Sequence, residues 1–224
     1  IELWNGKIHH SREAVNYALD GTVRNVLLQF TVFPGYEHDW SLVQLALTDI
    51  TARKKAENYL EYSGKLDVLT KLCNRSFFTE ELHRLERAIV RPVSAIFIDM
   101  NGLKETNDTY GHDAGDDILR RMGNILERTI NNTGFTASRI GGDEFVVLMQ
   151  GANATTVQSA LMTIQELLNI DNQYYSAHPI SLSMGYASTI EDESIDDMLK
   201  RADQAMYKQK NDYYAYLRAE NNNE

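Results

Sequence analysis

Residues 96–101 read Ile-Phe-Ile-Asp-Met-Asn, and residues 139–145 read Arg-Ile-Gly-Gly-Asp-Glu-Phe. The first segment is an apolar run that ends in Asp99, which is typical of a buried strand with an acid at its tip. The second segment places two glycines between two short β-like runs, and this pattern predicts a hairpin with Asp143 at its turn. If the two elements are neighbours in one sheet, Asp99 and Asp143 face each other, and two like charges in contact require a cation.

These two acids predict a metal site. Carboxylate oxygens with open coordination positions suit Mg²⁺ bound to substrate phosphates, with Mn²⁺ as a substitute. The hairpin glycines also let a ligand approach the backbone closely. Without its context, however, Gly-Gly-Asp-Glu is more often an ordinary acidic surface turn, so the interpretation depends on the rest of the chain.

The composition is that of an ordinary globular protein. The 224 residues are 43% hydrophobic and 24% charged, with a formal net charge of -10,. This charge repels a phosphate backbone and argues against a nucleic-acid polymer as partner, whereas a single nucleotide can be held by metal ions and backbone N–H groups.

The expected location is cytoplasmic. Cys73 is the only cysteine, so no disulfide forms within one chain,. No apolar run approaches the ~20 residues of a membrane span. The chain begins with Ile1 rather than Met, which indicates a fragment of a longer protein, and membrane association through upstream regions stays open.

The chain divides into zones. Residues 1–50 contain two β-like alternating segments, at 24–30 and 40–47, and residues 51–65 predict a polar helix that serves as a connector or, alternatively, as a coiled-coil seam. Residues 66–218 alternate helices and strands, and residues 219–224 predict a disordered tail. The third zone predicts helices at 77–89, 118–130, 157–168 and 195–208 and strands at 93–98, 135–140, 144–149 and 180–186. A hairpin among these elements favours an α/β (α+β) fold with a mixed, mostly antiparallel sheet flanked by helices.

The third zone resembles the GGDEF family of diguanylate cyclases. Residues 141–145 match its signature, residues 67–75 its opening motif, residues 99–116 its metal and phosphate segment, and residues 202–210 its last helix. The resemblance implies a fold like the palm of nucleotide cyclases and polymerases. It also implies a Mg²⁺-dependent condensation of two GTP molecules into cyclic di-GMP and two pyrophosphates. Because the product has twofold symmetry and one domain supplies half a site, it implies a homodimer.

The resemblance also implies roles for individual residues. The metal ligands are Asp99, Asp143 and the backbone carbonyl of Met100, and the catalytic residues are Asp143, Glu144 and Lys104. Guanine is read by Asn107 and Asp116. The remaining GTP-binding positions are Asn101, Gly102, Leu103, Lys104, Lys210, Gly141 and Gly142.

The N-terminal zone resembles a second family. Residues 18–22 and 48–57 look like parts of the C-terminal half of a PAS sensor domain and its exit motif, with the two β-like segments between them. This resemblance implies that an upstream sensory region of the same polypeptide controls the catalytic zone through the helix at 51–65.

Two departures from the GGDEF pattern leave alternatives open. Tyr214 stands where the family has an arginine that helps to bind the triphosphate, and loss of a charge-assisted contact costs ~1.5–3 kcal/mol. Residues 132–135 read Asn-Thr-Gly-Phe in place of the inhibitory RxxD motif, so no product inhibition is expected there. The alternatives are a regulatory domain that binds GTP without turnover, a cyclase that makes another cyclic nucleotide, and an interaction module built on residues 1–50.

Overall fold

A computed structural model of the protein describes residues 8–87 and 90–221. The chain forms two compact units, which divide after Gly64. In the described part of the chain, no helix combines the length and apolar character that crossing a bilayer requires.

The first unit is a three-stranded antiparallel sheet followed by a helix. Its strands are β1 (His9–Tyr17), β2 (Val23–Val32) and β3 (Val43–Asp49), in the order β1-β2-β3, and its helix is α1 (Thr51–Ser63). The predicted segment at 24–30 lies within β2, and the one at 40–47 overlaps β3, which begins three residues later than predicted. β1 was not predicted, because most of its side chains are polar and exposed and show little apolar alternation.

The second unit is built on a four-stranded antiparallel sheet. Its strands are β4 (Val93–Asn101), β5 (Thr136–Arg139), β6 (Glu144–Gln150) and β7 (Ser181–Ser188), in the order β5-β6-β4-β7. The predicted hairpin is β5-β6, and the predicted buried strand is β4. The expected α/β (α+β) fold class, with a mixed, mostly antiparallel sheet flanked by helices, is confirmed, and all three strand pairs of this sheet are antiparallel.

Helices cover both faces of this sheet. They are α2 (Arg75–Glu86), α3 (Leu103–Tyr110), α4 (His112–Ile130), α5 (Ala154–Tyr174) and α6 (Ile195–Asn221). One apolar core joins Ile96 and Ile98 of β4 to α4 and α5, and a second joins Val93 and Ala95 to α2 and α6. Because β4 is buried on both faces, its sequence is a continuous apolar run rather than an alternating one.

The helices of this unit differ from the sequence prediction in their bounds, and one was not predicted. α4 begins at His112 rather than at 118, α5 spans Ala154–Tyr174 rather than 157–168, and α6 continues past its predicted end at 208. α2 begins at Arg75 and ends at Glu86, whereas the prediction placed it at 77–89; residues 88 and 89 lie outside the described residues. α3 was missed because it is short and has no buried residue. α6 continues to Asn221, three residues into the predicted disordered tail, and residues 222–224 lie outside the described residues.

Candidate active site

Asp99 lies near the end of β4 on the face that packs against α6. Side chains alternate along a strand, so Asp99 shares a face with Val93 and Ala95 of the second core,. Its side chain is only 4% exposed. The strand therefore places a nearly buried carboxyl group at one edge of the sheet.

The Gly-Gly hairpin meets β4 at the same edge. Asp99 is the antiparallel partner of Glu144, and directly opposed residues lie on one face of a sheet,. The Met100 N–H donates to the backbone carbonyl of Asp143 at 3.1 Å. Asp99, Asp143 and Glu144 are therefore brought together.

The conformation of the hairpin explains why residue 141 is a glycine. A Cβ atom at Gly141 would lie 2.3 Å from Oε2 of Glu144, so the Glu144 side chain folds back over a space that only glycine leaves open. At Gly142 a Cβ atom would meet nothing within 4 Å. Gly141 thus leaves room for the Glu144 carboxylate in this position.

Lys210 of α6 pairs with the buried acid. Its Nζ donates to Oδ2 of Asp99 at 2.7 Å, while Oδ1 is buried without a hydrogen-bond partner in the described part of the chain. Burial raises the pKa of Asp99, and the nearby charge of Asp143 raises it further, although the hydrogen bond from Lys210 opposes both effects. The pKa of Lys210 is raised by its hydrogen bond to Asp99 despite partial burial, which acts in the opposite direction.

The residues at this edge fit a hard divalent cation. The unpartnered Oδ1 of Asp99 is a buried oxygen ligand, and Asp143 adds a second carboxylate beside it. Among residues 8–87 and 90–221, His, Cys, Asp and Glu side chains form no cluster of three that would hold a metal by themselves. Mg²⁺ typically takes one or two carboxylates and completes its shell with water and substrate phosphates, and the two carboxylates of Asp99 and Asp143 fit this requirement.

The turn after β4 presents backbone rather than side chain. The Asn101 Nδ2 donates to Oγ of Ser181 at 3.1 Å, and Oγ of Ser183 donates to Oδ1 of Asn101 at 2.8 Å. Gly102 follows with φ of 73°, a left-handed conformation that glycine adopts readily, and α3 begins at Leu103,. Because β7 holds the Asn101 side chain, this turn can offer a ligand its N–H groups, at the positive end of the α3 dipole.

Asn107 lies against Gly115, the residue before Asp116, where α3 packs beside α4. A Cβ atom at Gly115 would lie 2.0 Å from Oδ1 of Asn107, so the amide of Asn107 occupies the space over that glycine. Asp116 is half-exposed and lies 3.5 Å from Nη2 of Arg120. Asn107 lies five residues beyond Gly102, or about 8 Å along the helix axis. Lys104 is exposed in the first turn of α3.

Four residues near these positions were missed or underused by the sequence analysis. Arg139 holds the hairpin, because it donates to the carbonyl of Gly142 at 2.7 Å and lies 3.2 Å from Asp67. Gly185 of β7 lets α6 approach, because a Cβ atom there would lie 2.0 Å from the Met206 nitrogen. Gly115 seats Asn107, and Tyr214 of α6 accepts a hydrogen bond from the Gly102 N–H at 3.4 Å. Two of these had a sequence signal, since Arg139 immediately precedes the hairpin and Tyr214 stands at a departure from the GGDEF pattern.

Asp99→Asn is expected to stabilise the metal-free protein at neutral pH. The folded state raises the pKa of Asp99 above the ordinary 3.8, so ionisation of this group destabilises the fold above the raised pKa and has no effect well below 3.8. The gain in free energy of unfolding should therefore be largest near pH 7.5 and should shrink as the pH falls through the raised pKa. Urea denaturation in chelator at several pH values measures it.

Asp117→Asn is the matched control, because Asp117 is exposed on α4. It should change the free energy of unfolding little at any of these pH values. A variant at Asp99 that is less stable than the parent at pH 7.5 would contradict the prediction.

The family of the chain follows from comparison with known proteins. A family model described as "Diguanylate cyclase, GGDEF domain" matches residues 64–214. The diguanylate cyclase DgcM of Escherichia coli K12 is 33% identical over 208 residues, which cover 91% of this chain and 50% of that protein. The diguanylate cyclase DgcS of Shewanella oneidensis is 34% identical over 162 residues, which cover 69% of this chain and 53% of that protein. The chain thus spans about half the length of these relatives.

A solved structure agrees. The coiled coil and GGDEF domain of DgcB from Caulobacter crescentus, crystallised in complex with c-di-GMP, is similar with a TM-score of 0.62 and 25% identity. The similarity covers 72% of this chain and 88% of that chain. Together with the hairpin, the buried acid of β4 and the match over residues 64–214, this similarity shows that the chain belongs to the GGDEF family of diguanylate cyclases.

Proposed function

We propose that this chain is the catalytic part of a diguanylate cyclase, which condenses two GTP molecules into cyclic di-GMP and two pyrophosphates. The observation that carries the proposal is Oδ1 of Asp99, which has no hydrogen-bond partner among the described residues and is buried beside Asp143, at the edge where Gly102 precedes α3. A buried, unpaired carboxylate oxygen next to a second acid is costly without a cation. This arrangement fits a Mg²⁺–triphosphate better than it fits a structural hairpin.

Different residues would serve different functions in phosphoryl transfer. Asp99, Asp143 and the carbonyl of Met100 would hold Mg²⁺ or Mn²⁺, which when bound neutralises phosphate charge and eases deprotonation of the 3′-hydroxyl. The backbone N–H groups at 101–103 would bind the terminal phosphates, with Lys104 and Lys210 adding positive charge. Gly141 and Gly142 would let the substrate approach the hairpin.

The chemistry is two identical transfers. The 3′-oxygen of one GTP attacks the α phosphorus of the other, the bond to the β phosphate breaks, and pyrophosphate leaves. Glu144, which lies opposite Asp99 at this edge, would accept the 3′-hydroxyl proton,. In the second transfer, the 3′-oxygen of the other nucleotide attacks the α phosphorus of the first, and the second pyrophosphate leaves as the ring closes. Because each copy would bind one GTP, a second copy of this chain is the partner that completes the site.

We assign control of the pairing between two copies of the chain to the first unit. We propose that residues 1–50 are part of a PAS-like sensor segment, that residues 51–65 connect it to a catalytic domain at 66–218, and that an upstream sensory region acts through this connection. Two features fit a cytoplasmic catalytic domain. The proposed substrate is GTP, and the chain has a single cysteine.

Guanine recognition would depend on Asn107 and Asp116, and Gly115 offers a test of it. Gly115→Ala places a methyl group on the Asn107 amide, and loss of one or two base hydrogen bonds should weaken GMP binding by about tenfold. Affinity for inorganic triphosphate should not change, because that ligand has no base. Titration calorimetry with both ligands measures this. An equal loss for both would show general damage to α3, and an unchanged GMP affinity would argue against base recognition by Asn107.

The function itself is tested by assay of the purified chain. GTP and Mg²⁺ are added at protein concentrations that favour dimers, and the products are separated by chromatography. Cyclic di-GMP and pyrophosphate in a 1:2 ratio are expected. Detection of a different cyclic nucleotide would show that the chain makes another product than the one proposed. Absence of any product under dimerising conditions, with the upstream regions included, would contradict the proposal.

One alternative has a specific observation in its favour. Tyr214 supplies a neutral hydroxyl at the Gly102 N–H, where the family has an arginine, and this favours a domain that binds GTP weakly and regulates a partner without turnover. The carboxylates of Asp99, Asp143 and Glu144 oppose it, because a purely regulatory domain does not need them. Saturable GTP binding without any product would favour the regulatory function.

A further inference from the structure

Tyr214 already occupies part of the surface that the proposed function assigns to phosphate. Its hydroxyl oxygen accepts the Gly102 N–H at 3.4 Å. Gly102 precedes α3, and no side chain caps the start of that helix. Asp99, two residues before Asn101, has a buried Oδ1 with no hydrogen-bond partner in the ranges 8–87 and 90–221, which also points to a ligand at this edge. The phenol oxygen is therefore an acceptor supplied by the chain itself.

The tyrosine is held in this position by its surroundings on α6. Tyr214 lies four residues after Lys210, so the two side chains project from the same face of the helix. Its ring makes an edge contact with that of Tyr213, with centroids 5.2 Å apart. Lys210 is simultaneously paired with Asp99. In this state α6 supplies internal partners to both the buried acid and the Gly102 N–H.

One N–H group cannot serve two acceptors well. A phosphate oxygen bound by Gly102 would lie about 2.9 Å from its nitrogen, inside the 3.4 Å at which the phenol oxygen now sits. A phosphate oxygen and the phenol oxygen would then crowd the same side of the N–H. Binding of the triphosphate therefore requires the Tyr214 hydroxyl to leave.

We infer that the Tyr214 hydroxyl competes with the terminal phosphates of the nucleotide for the Gly102 N–H, and so lowers the affinity for triphosphate selectively. This inference rests on the proposed function of the site. It differs from simple loss of an arginine, because a residue that merely lacked charge would leave the N–H open. Here the Tyr214 side chain lacks the positive charge of an arginine and also competes with phosphate for the Gly102 N–H.

Tyr214→Phe tests the inference, because it removes the oxygen and keeps the ring. A net hydrogen bond of this length is at the weak end of the usual range, so the affinity for an α,β-methylene analogue of GTP with Mg²⁺ should rise about two- to fivefold. Affinity for GMP, which lacks the β and γ phosphates, should stay the same. Calorimetry on the full chain measures both, and the analogue prevents turnover.

Tyr213→Phe is the matched control, since it removes a hydroxyl from the adjacent ring and should change neither affinity. Weaker binding of the analogue by Tyr214→Phe would overturn the inference, because the hydroxyl would then be a ligand of the phosphate. An unchanged affinity, or an equal gain for GMP, would overturn it as well.

These outcomes separate the inference from the function. If the parent chain makes cyclic di-GMP but Tyr214→Phe binds the analogue no better, only the inference fails. If Tyr214→Phe gains affinity selectively while no product forms from GTP, the inference stands and the cyclase proposal fails. If neither nucleotide binds the chain, both fail.

Discussion

Asp143→Asn is expected to lower the rate of cyclic di-GMP formation by about a thousandfold. The change removes one of the two carboxylates that would hold the cation, and a loss of about 4 kcal/mol of transition-state stabilisation corresponds to this factor. Asparagine has nearly the same shape, and the Met100 N–H bonds the backbone carbonyl of residue 143 rather than its side chain. The hairpin should therefore keep its conformation while the chemistry is lost.

The measurement is the initial rate of product formation with saturating GTP and Mg²⁺, at a protein concentration where the parent chain is dimeric. Asp117→Asn makes the same chemical change at an exposed position of α4 that has no assigned role in metal binding and should retain full activity. A loss of less than tenfold in Asp143→Asn, with an unchanged circular dichroism spectrum, would show that this acid does not hold the catalytic cation.

Gly185→Ala is expected to lower the free energy of unfolding by about 3 kcal/mol, the upper end of the usual cost of overpacking. The added methyl group would lie 2.0 Å from the Met206 nitrogen and 2.3 Å from the Ala202 carbonyl oxygen. Both are backbone atoms of α6, so no side chain can rotate away to make room. The helix must shift outward from β7.

That shift would also reach the candidate active site. Lys210 follows Met206 by about one helical turn, and its bond to Asp99 depends on the close approach of α6 to the sheet. Activity should therefore fall together with stability, even at temperatures where the variant remains folded.

Urea denaturation and the cyclase assay at low temperature measure the two effects. Gly142→Ala is the control for stability, because it adds the same methyl group where nothing lies within 4 Å, and it should change the free energy of unfolding by less than about 0.5 kcal/mol. A Gly185→Ala protein as stable as the parent would mean that α6 does not pack as described.

Much of the second unit could be predicted from local patterns. β4 was recognisable because a strand buried on both faces is continuously apolar, and the β5-β6 hairpin because two adjacent glycines interrupt two short β-like runs. α4 was recognisable from its apolar residues at helical spacing. The exposed elements β1 and α3 were missed, because exposure removes the apolar periodicity on which such predictions depend.

The sequence by itself determined the family and the candidate acids, because several short motifs of adjacent residues, at 67–75, 99–116, 141–145 and 202–210, occur together in one order. The tertiary structure decided which distant residues act on those acids. The pairing of Lys210 with Asp99, the hydroxyl of Tyr214 at the Gly102 N–H, and the glycines that seat Asn107 and α6 join residues that are up to 112 positions apart. Such contacts arise from the packing of helices against the sheet, and no local pattern encodes them.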